Sequence, residues 1–308
     1  MTAVGVDIGG TKILGVVLGG DRSIVDERRR PTPAGGVAIL DAITEVVHDL
    51  SASHDDVTVG VGIAGLVERR GVLLAAPNLA VTEAVDVRRG LKQRLGRDVA
   101  VDNDATCATL AEWRLGAATG VDDVVLVTLG TGIGGGLVTG GALQHGAHGF
   151  AGEFGHMVVD PDGPPCVCGR RGCWERYASG AGLAMLARHA AVEGRLDDVV
   201  ARTGSIEALR GEDVRDAAVA GDEQAIAVVD VFARWVAIGL VNLTNVLDPA
   251  MFVLGGGLAA TPDLYEPPIA RWFDALLYSS EVRPAPRLAF ATMGEQAAAV
   301  GAALLGAG

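Results

Sequence analysis

The feature that most narrows what this chain can become is a pair of matching stretches, "VGVDIGGTKILGVVLGG" near the start and "DDVVLVTLGTGIGGGLVTGG" further on. Each is an apolar Val/Ile/Leu run, a glycine-rich turn and a second apolar run, so each reads as strand, turn, strand. Two such openings roughly 120 residues apart point to an internally duplicated fold whose halves face each other across a cleft. The runs "AVGVDI", "ILGVVL", "VTVGVGIA" and "DVAVDN" alternate with helical spacing over 37–52 and 104–116. That alternation predicts α/β architecture with a largely buried sheet. The second half continues with a Cys-rich loop, helices between 179 and 247, a strand "AMFVLGGG" and a helical "GEQAAAVGAALLG".

Length and composition set the outer limits. The 308 residues, 49% apolar, suit two globular domains with substantial cores. A net charge of -13 argues against a partner such as nucleic acid, whose binders carry a basic face. The opening "MTAVGVDIGG" has neither the basic nor the apolar region of a signal peptide, so the expected location is cytoplasmic. The longest apolar stretch, 225–247, contains Asp230, Arg234, Asn242 and Asn245. Such residues are costly in lipid, so it reads as a buried helix and no membrane partner is expected.

Three glycine clusters are candidate phosphate or nucleotide contacts. In Asp7-Ile8-Gly9-Gly10-Thr11-Lys12, Gly9 and Gly10 allow close backbone approach to a phosphate, Thr11 adds a donor, Lys12 a charge, and Asp7 a carboxylate able to hold Mg²⁺ through water; an ordinary hairpin turn explains the same residues. Gly130-Thr131-Gly132-Ile133-Gly134-Gly135-Gly136 contains a dinucleotide-like G-x-G-x-x-G, but a strand follows it where that fingerprint requires a helix. A second phosphate loop fits better, and two loops on opposing domains suit phosphoryl transfer. Gly255-Gly256-Gly257 after the strand "MFVL" suits an adenosine contact or a plain turn.

Asn103 and Asp104 fall where a strand ends and a helix begins, the edge at which open α/β sheets place ligands. Asp104 can serve there as an N-cap, as a carboxylate kept ionised by the helix terminus to take a proton from a hydroxyl, or as both. Further on, His156, Cys166, Cys168 and Cys173 supply one nitrogen and three sulfurs, the donor set of a closed tetrahedral Zn²⁺ site. A disulfide is disfavoured by a reducing compartment and an odd number of clustered thiols. Four protein ligands leave no position for activated water, so the zinc is expected to be structural. Glu153 and Glu175 bracket this loop as surface charges, partners of the histidine, or acceptors for a polyol.

Six motifs in this order, Asp7-x-Gly-Gly-Thr-Lys12, Asn103-Asp104-Ala105, Leu129-Gly-Thr-Gly-x-Gly-Gly135, Glu153-x-Gly-His156, Cys166-x-Cys-Gly-x-x-Gly-Cys173 and Leu254-Gly-Gly-Gly257, resemble the ROK (repressor, open reading frame, kinase) family. The resemblance runs from residue 3 to the C-terminus and is strongest to its ATP-dependent glucokinase branch. It implies an actin-like ATPase, ribonuclease-H-like fold of two α/β domains, 1–116 plus 293–308 and 117–292, with the last helix returning to the first. ATP and Mg²⁺ would lie in the cleft, and Asp104 matches the general base for the hexose 6-hydroxyl. Asn103, Glu153, His156 and Glu175 match residues that hold the sugar, with Gly65 and Asn78 near them.

The resemblance also implies a structural zinc on His156, Cys166, Cys168 and Cys173, and assembly as a homodimer or homotetramer. Two departures bear on the choice of hexose: no Trp follows Pro77-Asn78, and Thr106 stands where the family often has Asn. Glucose is the expected substrate, with N-acetylglucosamine, N-acetylmannosamine, fructose and allose as alternatives. Sugar-responsive repressors of the same family resemble one another in an N-terminal helix-turn-helix extension, and a chain opening on the phosphate strand is not expected to carry one.

Overall fold

The computed structural model describes residues 2–54 and 57–308. By their contacts the residues group into two compact units, Met1–Val125 with Gly136–Gly152 and Thr292–Gly308, and Leu126–Gly135 with Glu153–Ala291. Residues 136–152, assigned from sequence to the second domain, group with the first unit.

The first unit is built on β1 (Ala3–Ile8), β2 (Lys12–Leu18), β3 (Ile24–Pro31), α1 (Gly36–Ser51) and β4 (Thr58–Ile63). A small three-stranded sheet follows, β5 (Leu66–Val67), β6 (Val72–Ala75) and β7 (Val85–Asp86), then α2 (Val87–Leu95), β8 (Ala100–Asn103) and α3 (Asp104–Leu115). The main sheet runs β3-β2-β1-β4-β8, with β1 to β3 antiparallel and β4 and β8 parallel to β1. β1 and β4 are buried almost throughout, which is why they read as unbroken apolar runs. On α1, Ile39, Ile43, Val46, Val47 and Leu50 recur at helical spacing and form one core with Val4, Val6 and Val61.

The second sheet repeats the plan. It comprises β9 (Val124–Leu129), β10 (Ile133–Thr139), β11 (Ala142–Gln144), β12 (Met251–Gly255) and β13 (Arg287–Phe290) in the order β11-β10-β9-β12-β13. Counted within each sheet, both orders are 3-2-1-4-5, the duplication expected from the paired openings. Between β11 and β12 lie α4 (Glu175–Ala178), α5 (Gly180–Val192), α6 (Asp197–Thr203), α7 (Gly211–Val219) and α8 (Glu223–Leu247), and α9 (Pro262–Leu276) follows β12. The stretch expected to be a buried helix is α8, the one described helix long and apolar enough to cross a membrane. Its Phe232, Val236 and Leu240 are fully buried, and Asp230 pairs with Arg271 and Trp272.

The last helix, α10 (Ala297–Ala307), packs on α3, β1 and β4 of the first unit, as the resemblance implies. Its composition explains the contact. A Cβ built on Gly5 of β1 or Gly60 of β4 would overlap the carbonyls of Ala299 and Ala302, so sheet and helix backbones meet with no side chain between them.

Candidate active site

In the first unit the chemistry gathers where β1, β4 and β8 end. Asn103 closes β8 and caps α3, its Oδ1 accepting the Thr106 N–H at 3.0 Å. Its Nδ2 donates to Asp104 Oδ1 at 3.0 Å and to the Gly65 carbonyl at 3.1 Å. Gly65 is held at φ 133°, and a Cβ there would meet the Ala75 carbonyl at 2.5 Å, so only glycine offers Asn103 that oxygen without strain. Asp104 is therefore the first residue of the helix and not its cap, because the amide one position earlier already fills the capping geometry.

The electrostatics also differ from the sequence expectation. Burial pushes the Asp104 carboxyl above its ordinary range, against the pull of the Ala105 N–H, its own N–H and the Asn103 amide. Desolvation outweighs the helix terminus, and the carboxylate becomes a stronger proton acceptor. Asp7, at the end of β1, is pushed up to about 8 by burial first and by Asp104 second, with Lys12 opposing. Its buried Oδ1 has no hydrogen-bond partner among the described residues. A buried carboxylate oxygen lacking a donor fits a divalent cation or its water, so Asp7 suits the Mg²⁺ role.

The segment after Asp7 is a tight hairpin, with the Gly9 N–H on the Lys12 carbonyl at 3.0 Å, and Thr32 Oγ1 on the Gly9 carbonyl. Gly10 runs close under Asn78, which sits exposed in the 3₁₀ turn Pro77–Leu79; a Cβ on Gly10 would lie 3.0 Å from the Asn78 carbonyl. Thr11 is followed by Lys12, whose ammonium pairs with Glu295, itself bound by Arg29. The charge expected to face a phosphate thus has a carboxylate partner from the other end of the chain.

In the second unit, His156, Cys166, Cys168 and Cys173 place one donor atom each within 4.8 Å of all the others. Cys168 and Cys173 sulfurs are 3.5 Å apart, and Cys166 Sγ is 3.8 Å from His156 Nδ1. A tetrahedron with Zn–S bonds near 2.3 Å has edges of about 3.8 Å. The donor set and its spacing fit zinc, and the sulfurs are too far apart for disulfides.

The frame around this cluster is firm. Trp174 is fully buried and donates to the Trp235 carbonyl at 2.7 Å, Tyr177 stacks on Trp235, and Ser179 caps α5. Glu175 approaches His156 Nδ1 at 3.6 Å and Cys166 Sγ at 3.0 Å, while Glu153 lies 3.9 Å from Nε2 on the other side of the ring. Both glutamates therefore face the histidine, which is itself exposed.

The other glycine loops also meet. Gly130 and Thr131 share a cavity of about 480 Å³ with Gly257, while Gly132 approaches Glu175. Gly255 closes β12, and Gly256 turns at φ 84° against the Leu129 backbone. The cavity is also lined by Ala181 of α5, by Arg210 and Arg215, and by Leu258 and Tyr265. Sequence reasoning missed these five, because they are scattered over residues 181–265 and none lies in a motif.

The ROK family model matches residues 3–307. The glucokinase of Streptomyces coelicolor is 38% identical over 304 residues, 97% of this chain and 96% of that protein. An N-acetylmannosamine kinase of Escherichia coli is 36% identical over 262 residues, 84% of each. Among solved structures, a ROK family glucokinase from Streptomyces griseus in complex with glucose and AMPPNP is 39% identical, with a TM-score of 0.88 and 99% of both chains covered.

Proposed function

The chain belongs to the ROK family, and from that premise we propose that it is an ATP-dependent glucokinase, transferring the terminal phosphoryl group of ATP to glucose. The observation that carries this reading is the likeness, over nearly the whole chain, to a glucokinase that binds glucose and the ATP analogue AMPPNP.

The acceptor is the 6-hydroxyl. Asp104 takes its proton as the oxygen attacks the γ-phosphorus, the bond to the β-phosphate oxygen breaks, and ADP leaves. Two local features support Asp104 in this role: the raised pKa of its carboxyl and the fixed orientation imposed by Asn103. Asn103, Glu153, His156 and Glu175 hold the sugar hydroxyls, with the Gly65 backbone and Asn78 beside them. The loops at Gly9–Lys12 and Gly130–Gly132 bind phosphates, and Gly255–Gly257 faces the adenosine. Asp7 would hold Mg²⁺, which would supply charge neutralisation on the phosphates. His156, Cys166, Cys168 and Cys173 would hold a structural zinc, which would keep the histidine ring facing the sugar. A reduced Cys₃His site and ATP as substrate suit a cytoplasmic enzyme.

The test is ADP release with glucose, N-acetylglucosamine, N-acetylmannosamine, fructose and allose as acceptors. Glucose is expected to give the highest kcat/KM, and no turnover with any of the five would overturn the reading. Magnetic resonance of the product locates the phosphate, expected on the 6-oxygen.

A further inference from the structure

A second cavity, of about 240 Å³, lies wholly within the first unit, and no residue of the Asp7 loop lines it. Its charged wall consists of Glu68 and Arg69 after β5, Arg88 on α2, Asp102 on β8 and His145 after β11.

The two acids are already satisfied. Arg70 binds Glu68 at 2.8 Å, and His145 Nε2 lies 2.7 Å from Asp102 Oδ2. The other oxygen of Asp102 accepts the Asn103 N–H. The hydrogen bond to Asp102 raises the His145 pKa, so the ring tends to carry the proton that cancels the carboxylate.

The two arginines are not matched in the same way. Arg69 donates Nε to the Gly146 carbonyl at 2.8 Å and meets no carboxylate among the described residues. Arg88 has a buried Nε with no hydrogen-bond partner, and its guanidinium pairs with nothing among the described residues. In a chain with 38 acidic and 25 basic side chains, two neighbouring cations without a carboxylate stand out. A buried guanidinium N–H without an acceptor is unfavourable, and the groups that best relieve it are planar or tetrahedral oxyanions, which take its forked donors in pairs. Glu68 is matched by Arg70 outside the wall and Asp102 by His145, which leaves the Arg69 and Arg88 guanidinium groups to face the cavity without a carboxylate of their own and favours an anion over a metal cation. The volume suits one phosphate group with a few waters.

We propose that this cavity is an oxyanion site that takes a phosphate group, free or on a phosphate monoester, through Arg88 and Arg69. It is independent of the kinase reading, since neither Arg69 nor Arg88 belongs to the sugar or nucleotide machinery.

The test is calorimetric titration of the full chain with inorganic phosphate, with saturating glucose and AMPPNP present so that the catalytic site is filled. The wild type is expected to show one saturable site. Arg88→Gln and Arg69→Gln should each weaken it by about tenfold or more, Arg88→Lys should weaken it less, and kcat without added phosphate should be unchanged in all three. Parallel titrations with glucose 6-phosphate and sulfate separate the sources: tighter binding of the ester marks a phosphate monoester, whereas equal binding of phosphate and ester marks the free ion. No saturable binding up to roughly 10 mM, or equal binding by the wild type and a correctly folded Arg88→Gln, would overturn the proposal. Tighter binding of sulfate than of either phosphate ligand would overturn the phosphate assignment. Circular dichroism establishes folding of each variant, so a misfolded Arg88→Gln is replaced by Arg69→Gln.

Discussion

Two corners of the molecule each fix a histidine and a pair of carboxylates by different means. At the Asn103–Asp104 corner, placement rests on hydrogen bonds: Gly65 and Asp104 accept from one amide, while Asp102 accepts the Asn103 N–H and engages His145. At the Cys166–Cys173 corner, four donor atoms converge, and the fully buried Trp174 anchors the end of the loop. The first corner keeps the Asp104 carboxylate desolvated, which raises its proton affinity. The second leaves His156 exposed. Hydrogen bonds suffice where helix and strand already supply a frame. A loop without regular structure gains rigidity from a metal.

The largest effect expected from breaking this symmetry is chemical. Asp104→Asn should lower kcat by about 10²–10⁴-fold while titration still detects glucose and ATP binding, and near-normal turnover would remove Asp104 from the role of base. Disrupting the other corner should cost less in chemistry and more in binding. Cys168→Ser should reduce bound zinc below one per chain by metal analysis, raise the KM for glucose and lower kcat/KM by about 100-fold. An unchanged KM in a zinc-depleted enzyme would separate the metal from the sugar.

Gly65→Ala should weaken the first corner through its backbone. An alanine at φ 133° facing the Ala75 carbonyl is expected to cost about 1–3 kcal/mol in urea denaturation. Acidity supplies a finer probe. Because the Asp104 pKa is raised, the acid limb of kcat should lie above the ordinary carboxylate range, with activity rising as the group deprotonates. A limb near pH 4 would show that the bound sugar restores ordinary solvation.

The smallest effect is on stability. His145 has a raised pKa when folded, so its stabilising pairing with Asp102 is fully present below the unfolded value and fades as pH rises through the folded one. Thermal denaturation of the wild type against His145→Gln should therefore show a gap that narrows with rising pH above about 6.5.

Much of both corners was legible before folding. Strand and helix periods placed α1, α3, β12 and α10, and the Cys/His spacing announced its metal geometry. The strand β3 was not legible. "IVDERRRP" runs from two acids into three arginines and lacks an apolar face, and it becomes a strand because it lies at the sheet edge and pairs antiparallel with β2. The capping role at Asn103 was also misplaced by one residue, since Asn and Asp are equally good caps and only backbone geometry distinguishes them.

Glycine turns, hydrophobic periods and ligand spacing are short-range properties, governed by backbone freedom and by which face of an element leaves water, so they can be read within one or two dozen residues. Whether a charge is matched, buried or free depends on which distant segment arrives beside it. Lys12 meets Glu295 across 283 positions, His145 meets Asp102 across 43, and Arg88 meets no acid among the described residues. Desolvation and ion pairing act through space, and that is why the electrical state of these residues follows from the tertiary structure and not from chain order.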